Sequence, residues 1–292
     1  METNATSRGR LYIALAAVLW SSSGGLTKVL TRDTPLGLNH PEVAALHIAF
    51  YRVLFAGLFF AVLLRPRDIS FRPAMLPMLV CFAAMNAMFV SAMALGTAAN
   101  AILLQYTAPI WVFLASIFWL GERADFRSLA AVALAMAGMG LIIGGGWGDA
   151  PPGVVALGLG SGLTYAGVLL WLRVLRGASP RWLTALNHLA AAVILLPWVI
   201  SGPMPTCGQF LVLIVFGVFQ MGIPYWLMAR GLQSVRAQEA GIITLLEPIL
   251  NPMWTYLVSG EAPAVYTYLG GALILAALLW RYWPRKEGKR VV

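Results

Sequence analysis

The chain has 292 residues, of which 60% are hydrophobic and only 11% charged, and its mean hydropathy is +0.80. No soluble core of this size needs so apolar a composition, so the sequence predicts an integral membrane protein. Two cysteines provide neither a disulfide framework nor a CxxC metal signal, and we expect no metal and no cofactor. The formal net charge of +9 is compatible with nucleic-acid binding, but the placement of the basic residues indicates membrane topology instead.

Ten apolar segments follow one another along the chain, each close to the roughly 20 residues that one membrane crossing requires. The links between them are short, so we expect no soluble catalytic or receptor domain. The predicted fold is therefore an all-α integral membrane protein with ten transmembrane helices. The predicted spans are 11–29, 43–64, 74–95, 98–120, 128–145, 153–173, 182–200, 208–229, 237–259 and 264–281.

The first segment also fits a secretory signal peptide, because Arg8 and Arg10 precede an apolar run that ends in small residues. The apolar run continues to Val29, however, and it has a counterpart later in the chain. We therefore predict that this segment is the first span.

The basic residues are distributed asymmetrically between the two ends of the predicted spans. If the N-terminus is cytoplasmic, 17 of the 20 Lys and Arg residues lie on the cytoplasmic side, including a basic C-terminal tail. The outer side keeps Lys28 and Arg32, and Arg52 lies within a span. The positive-inside rule then places both termini in the cytoplasm of a multi-pass cell membrane protein.

The two halves of the chain repeat each other. Residues 240–261 align without gaps with 101–122 at an offset of 139, which pairs Pro248 with Pro109, and Tyr165 aligns with Trp20 in a weaker match. Five spans per half is an odd number, so the second repeat is expected to be inverted in the membrane. Inverted repeats are typical of alternating-access transporters whose site lies near the midplane, although a duplicated structural protein is the simpler alternative. The predicted units are a first five-helix repeat at 1–143, an external linker at 144–153 and a second five-helix repeat at 154–292.

Charged and polar groups near the middle of a span are costly, so each central one requires an explanation. Glu247 is the central acid and Arg52 the central base, while His188 is either a structural histidine or, less favoured, a proton-transfer group. For Glu247 three roles stay open: pairing with Arg52 or stabilising a kink, ion coupling, and direct substrate contact. The predicted lining of the cavity comprises Trp20, Ser21, Ser22, Asn86, Gln105, Thr164, Tyr165, Gln220, Tyr225, Thr244, Glu247 and Asn251.

Two prolines lie near the middle of the fourth and ninth predicted spans. Pro109 and Pro248 each remove one backbone hydrogen bond and free a carbonyl, which predicts a helix kink at each position. Such interruptions are tolerated in a membrane where they line a cavity or are covered by neighbouring helices.

The fifth and tenth predicted spans carry almost no polar residues. They instead show small residues four apart, as in Ala131 with Ala135 and Ala272 with Ala276, which favours close helix contact. We predict two peripheral packing helices, which join either the two halves of one chain or two protomers.

Ten spans in two halves, together with the motifs TAPIWVFLASIFWLGE and LEPILNPMWTYLVSGE, resemble the drug/metabolite transporter superfamily, in particular its EamA-type exporters. The resemblance implies a secondary transporter of the bacterial inner membrane, without catalytic residues, that exports amino acids, including aromatic or other apolar ones. A broad drug or metabolite exporter is the alternative. The implied partners are a small-molecule substrate and the lipid bilayer, not nucleic acid, with monomer and dimer both open.

An intramembrane enzyme is a more remote alternative. The chain has three histidines, no HExxH motif and no nucleophile elbow, so the sequence offers no catalytic constellation.

Overall fold

The computed structural model describes residues 2–31, 33–95, 98–121, 126–146, 151–259 and 265–282. Within these ranges the chain is helical, and no residue of them belongs to a β-strand. Three sequence features lie outside the described residues. They are most of the basic tail, the centre of the predicted linker, and the glutamates that end the motifs TAPIWVFLASIFWLGE and LEPILNPMWTYLVSGE.

Fourteen α-helices are formed by the described residues. They are α1 Glu2–Trp20, α2 Ser23–Thr31, α3 Ala45–Val62, α4 Met75–Leu95, α5 Ala98–Gln105, α6 Ala108–Phe118, α7 Phe126–Gly146, α8 Pro152–Val174, α9 Pro180–Leu195, α10 Cys207–Val215, α11 Ile223–Gly231, α12 Ala237–Ile243, α13 Leu246–Ser259 and α14 Val265–Tyr282. A π-helical segment, Phe216–Gly222, joins α10 to α11 without a break.

Among the described residues, five helical stretches are long and apolar enough to cross a membrane, and shorter apolar helices accompany them. This is the architecture of a multi-pass membrane protein, as the composition predicts. The long stretches are Asn4–Thr31, Ala45–Val62, Met75–Ala92, Pro152–Val174 and Cys207–Gly231.

Helices from the first half of the chain pack mainly against helices from the second half. The most extensive contacts join α7 to α14, α4 to α8, α3 to α9 and α1 to α11. The core is therefore shared between the two halves of the chain.

The interface between α7 and α14 explains the small residues of the fifth predicted span but not the pair predicted for the tenth, because Ala272 and Ala276 are exposed. Ala131 and Ala135 are fully buried there with Ile274 and Ala277. A methyl group added to Gly138 would lie 2.5 Å from the carbonyl oxygen of Gly270, so the two backbones are in close contact. The predicted small residues of α7 thus pack against α14 of the same chain, and α14 meets them with Gly270, Ile274 and Ala277.

Three of the helical stretches are interrupted. The breaks lie at residues 21–22 between α1 and α2, 106–107 between α5 and α6, and 244–245 between α12 and α13. The second and third breaks immediately precede the turns that contain Pro109 and Pro248. The first was not expected from the sequence, and it coincides with two serines whose hydroxyl groups donate to the preceding carbonyls of Val18 and Leu19.

The loop between α3 and α4 is fastened to the loop before α9. The hydroxyl of Ser179 donates to Oδ1 of Asp68 at 2.8 Å, and the backbone N–H of Arg65 donates to Oδ2 at 3.0 Å. These hydrogen bonds lower the pKa of the Asp68 carboxyl, the backbone bond most. The contact fixes the ends of α3, α4 and α9 relative to one another.

Candidate functional site

A cavity lies inside the bundle between the interrupted helices. The volume of the cavity is about 50 Å³. This is room for a few water molecules. The lining residues are Trp20, Ser23, Arg52, Met85, Asn86, Phe89, Ile102, Gln105, Tyr165, Gln220, Met221, Tyr225 and Glu247.

Arg52 supplies the positive charge of the cavity. It lies on α3 and is only 8% exposed, and its Nη2 approaches Oδ1 of Asn86 at 3.4 Å. That distance is long for a hydrogen bond, and the Nε–H group has no protein partner. The guanidinium carbon lies 5.7 Å from the ring centre of Phe216. Cation–π contact and burial therefore hold the guanidinium in place while leaving hydrogen-bond donors unused.

The aromatic side of the cavity is built around Trp20 at the end of α1. Its ring meets Tyr165 of α8 at 6.1 Å and Tyr225 of α11 at 4.9 Å, both edge to face. The hydroxyl of Tyr225 donates to Sδ of Met85 at 3.7 Å. Edge-to-face contact of this kind fixes ring orientation, so the cavity has a defined aromatic wall.

Glu247 supplies a carboxylate to the same cavity. It lies in the first turn of α13, just after the break at residues 244–245, and it interacts with the phenol of Tyr106 at the break between α5 and α6. Within the described residues, no ion pair within 4.0 Å joins Glu247 to Arg52. The guanidinium and the carboxyl group thus lie in one cavity without direct contact.

Several of the residues predicted from the sequence are brought together in this lining. They are Trp20, Asn86, Gln105, Tyr165, Gln220, Tyr225 and Glu247, together with Arg52.

Other predicted residues have their polar groups turned away from the cavity. The hydroxyl groups of Ser21, Ser22, Thr164 and Thr244 donate to carbonyls of their own helices three or four residues earlier. Asn251 donates to the hydroxyl of Ser23, which does line the cavity. A hydroxyl in an apolar helix satisfies itself in this way without facing a site, which spacing alone does not reveal.

His188 lies behind the aromatic wall. It is fully buried, its Nδ1 is 2.8 Å from the carbonyl oxygen of Thr184, and its ring meets Tyr225 and Phe82 at 5.0 and 4.8 Å. Because a carbonyl only accepts, Nδ1 carries the proton. The residue supports the ring of Tyr225 and is not among the cavity-lining residues.

The lining also contains residues that the sequence analysis did not select. Met85 and Phe89 flank Asn86 on one face of α4, while Ile102 and Met221 lie one turn from Gln105 and beside Gln220. Apolar side chains that face a cavity look like those that face lipid, so only the helical neighbourhood of a polar candidate points to them.

Comparison with known proteins places the chain among membrane transporters. Residues 7–144 and, separately, residues 153–283 match the EamA-like transporter family. The chain belongs to that family. This confirms the resemblance carried by the repeated proline and Gly-Glu motifs.

Named relatives extend over much of the chain. An uncharacterized transporter of Archaeoglobus fulgidus is 30% identical, covering 94% of this chain and 96% of its own. A riboflavin transporter of Rhizobium johnstonii is 28% identical, and the alignment covers 96% of this chain and 93% of that protein. The aromatic amino acid exporter YddG of Ancylobacter novellus is 25% identical, and the alignment covers 65% of this chain and 67% of that protein. A solved crystal structure shares the fold, with a TM-score of 0.77 at 18% identity over 97% of this chain and 98% of the other.

Proposed function

We propose that this EamA-family protein is a secondary transporter that exports small organic solutes, including amino acids with aromatic or other apolar side chains, by alternating access. One observation carries the proposal. A cavity within the bundle combines the guanidinium of Arg52, the carboxylate of Glu247 and an aromatic wall. The cavity therefore offers donors for the carboxylate of an amino acid, acceptor oxygens on Gln220 and Glu247 for its ammonium, and an aromatic wall for its apolar side chain.

The helices group naturally into ten crossings in two inverted units of five. In this grouping α1–α2, α5–α6 and α12–α13 each form one interrupted crossing, α10–α11 forms one continuous crossing through the π-helical segment, and the other helices cross singly. The first unit is then 1–143, the linker 144–153 and the second unit 154–292. The doubled family match, at 7–144 and 153–283, supports this division.

The helix contacts support a two-fold relation between these units. Exchanging the units converts the contact of α4 with α8 into that of α11 with α1, and both contacts are extensive. The same exchange puts α3 in the place of α9 and α7 in the place of α14, so the contacts α3–α9 and α7–α14 remain as they are. Trp20 and Tyr165, which the repeat alignment equates, also touch each other across the cavity. A site at the interface between repeats is what alternating access requires.

The size of the cavity bears on the mechanism. With room for only a few water molecules, it admits an amino acid only if the lining helices move apart. The interrupted helices provide places where such movement requires few hydrogen bonds to break. We propose that separation of the helix ends alternates between the two sides of the membrane.

The substrate class is supported by the cavity and by the relatives. An aromatic amino acid exporter and a riboflavin transporter are both named among the similar proteins, and both names describe solutes with planar rings. A broad exporter of ring-containing metabolites is the alternative within the transporters.

Competition in proteoliposomes tests the proposal. Purified protein is reconstituted, and efflux of radiolabelled L-phenylalanine is measured with unlabelled L-tryptophan, glycine or riboflavin present at the same concentration. We expect L-tryptophan to compete and glycine to have little effect, because only the former fills the aromatic side of the cavity. Equal competition by riboflavin indicates the broad exporter, and absence of L-phenylalanine flux contradicts the proposed substrate class. Conversion of the solute, detected by mass spectrometry, would indicate an enzyme.

A further inference from the structure

We infer that Arg52 and Gln220 together recognise the head group of the solute, with Arg52 donating to its carboxylate and Gln220 accepting from its ammonium. The inference rests on the proposed function, because it assigns specificity residues within the cavity of that transporter. It concerns two side chains, each more than nine-tenths buried, that line the same cavity and each retain one polar atom without a protein partner.

Arg52 has unused donors in the cavity. Its Nε–H group has no protein partner, and the nearest acceptor to Nη2 is the Asn86 carbonyl oxygen at 3.4 Å. Asn86 is itself held by a hydrogen bond from Nδ2 to the carbonyl of Phe82 at 2.9 Å, so it is not free to move closer. A planar guanidinium with open Nε–H and Nη groups suits two-point binding of a carboxylate.

Gln220 has an unused acceptor in the cavity. Its Nε2 donates to the backbone carbonyl of Trp20 at 3.2 Å, while its Oε1 is buried without a protein partner. The reverse orientation of the amide would place Oε1 against the Trp20 carbonyl, which also only accepts. The hydrogen bond to Trp20 therefore fixes the amide so that Oε1 is the group left for a ligand.

The π-helical segment brings these two groups into one neighbourhood. A methyl group added to Gly217 would lie 2.8 Å from the carbonyl oxygen of Arg52 and 3.2 Å from the backbone nitrogen of Ala56. The segment therefore lies directly against α3, and Gln220 follows Gly217 by three residues. π-Helical turns inside α-helices are found frequently at functional sites.

A donor and an acceptor that line the same cavity select the chemistry of the ligand. The head group of an α-amino acid carries a carboxylate and an ammonium on the same carbon atom, which match Arg52 and Gln220. A simple acid leaves Oε1 of Gln220 unpaired, and a simple amine leaves the guanidinium unpaired. Because an unpaired buried polar group is penalised strongly, such solutes should bind roughly tenfold or more weakly.

The experiment uses three probes with the same side chain and different head groups. L-phenylalanine has both groups, 3-phenylpropanoate lacks the ammonium, and 2-phenylethylamine lacks the carboxylate. Binding of each to purified full-length protein is measured by isothermal titration calorimetry. The variants are Gln220→Met and Arg52→Gln, with Thr184→Val as a matched control whose buried hydroxyl bonds only to its own helix.

The inference predicts a specific pattern of affinities. Wild type and Thr184→Val should bind L-phenylalanine about tenfold or more tightly than either analogue. Gln220→Met should lower the affinity for L-phenylalanine and raise that for 3-phenylpropanoate, which no longer leaves an amide oxygen unpaired, so the preference for the amino acid should be lost. Arg52→Gln should instead remove the advantage over 2-phenylethylamine. If Arg52→Gln does not fold, the Gln220→Met comparison still decides the matter.

Other results overturn the inference. An equal loss for all three probes in Gln220→Met would show a merely structural glutamine. Loss of ammonium discrimination in Glu247→Gln but not in Gln220→Met would assign the ammonium to Glu247. Wild-type binding of the three probes with equal affinity would remove head-group recognition while leaving the transporter intact. If no probe binds and none is transported, the proposed substrate class fails as well.

Discussion

Nε of Arg10 lies 2.6 Å from Oε1 of Glu239, joining α1 to the first turn of α12. The glutamate side chain is 7% exposed and the arginine side chain 43%. Close packing surrounds the pair, since a methyl group added to Gly9 would meet Val235 at 2.8 Å. The first and ninth proposed crossings are therefore fastened together at one end of the bundle.

Breaking the ion pair between Arg10 and Glu239 should destabilise the packing of α1 against α12 at this end of the bundle. We expect Arg10→Gln and Glu239→Gln each to lower the melting temperature in detergent by several degrees. The loss should fall between the roughly 1 kcal/mol of an exposed pair and the roughly 3–5 kcal/mol of a fully buried one. Exchange of the charges, Arg10→Glu with Glu239→Arg, should recover part of the loss. Equal melting temperatures for wild type and both single variants would show that packing alone holds α1 against α12.

The orientation in the membrane can be tested with a native cysteine. Cys207 is exposed and is the first residue of α10, on the side that the positive-inside rule assigns to the exterior. In a Cys81→Ala background, an impermeant maleimide should label Cys207 in intact cells. Arg67→Cys in a chain without native cysteines should react only after permeabilisation. The reverse pattern would invert the proposed topology.

The prolines should matter more for transport than for folding. Pro109 and Pro248 lie in the first turn after helix breaks that border the cavity. Replacing either with alanine allows the two helices to become continuous, which stiffens a segment that we propose moves. We expect flux per folded molecule to fall severalfold in each variant while the yield of folded protein changes little. Unchanged flux in both would mean that the breaks serve only folding.

Glu247 is predicted to couple transport to protons. Its carboxylate lines the cavity without an ion pair to Arg52, so Glu247→Gln should lose much less than the roughly 3–5 kcal/mol of a broken buried pair. The amide cannot release a proton, so the variant should exchange substrate but not concentrate it against a pH gradient. Proteoliposome exchange and pH-driven uptake measure the two properties separately. A large loss of stability that Arg52→Gln relieves would instead assign Glu247 a structural role.

The sequence predicted the helical segments well, because an apolar run of about 20 residues has the length of a membrane-spanning helix. The predicted span 182–200 corresponds to α9 at Pro180–Leu195, and the prolines at 109 and 248 marked two of the three interruptions. The beginning of α1 was missed. It extends back to Glu2 through polar residues, and Arg10 within that extension pairs with Glu239.

The cavity was predictable only in its polar and aromatic part. Glu247, Arg52 and Gln220 were marked by the cost of burying polar groups in a membrane. Ser21 and Thr164 fit the same rule but donate to backbone carbonyls three or four residues earlier, which a short hydroxyl reaches easily. The π-helical turn that places Gln220 against α3 depends on contacts between segments distant in the sequence, so the local sequence does not predict it.

Counterflow tests the central claim, that a solute binds in the cavity and is carried by alternating access. Proteoliposomes are loaded with unlabelled L-phenylalanine and diluted into a trace of the labelled compound without any ion gradient. A carrier predicts transient accumulation of label above equilibrium, saturation with outside concentration, and strong reduction of both in Trp20→Ala. Flux that rises linearly with concentration and shows no transient accumulation would contradict the account.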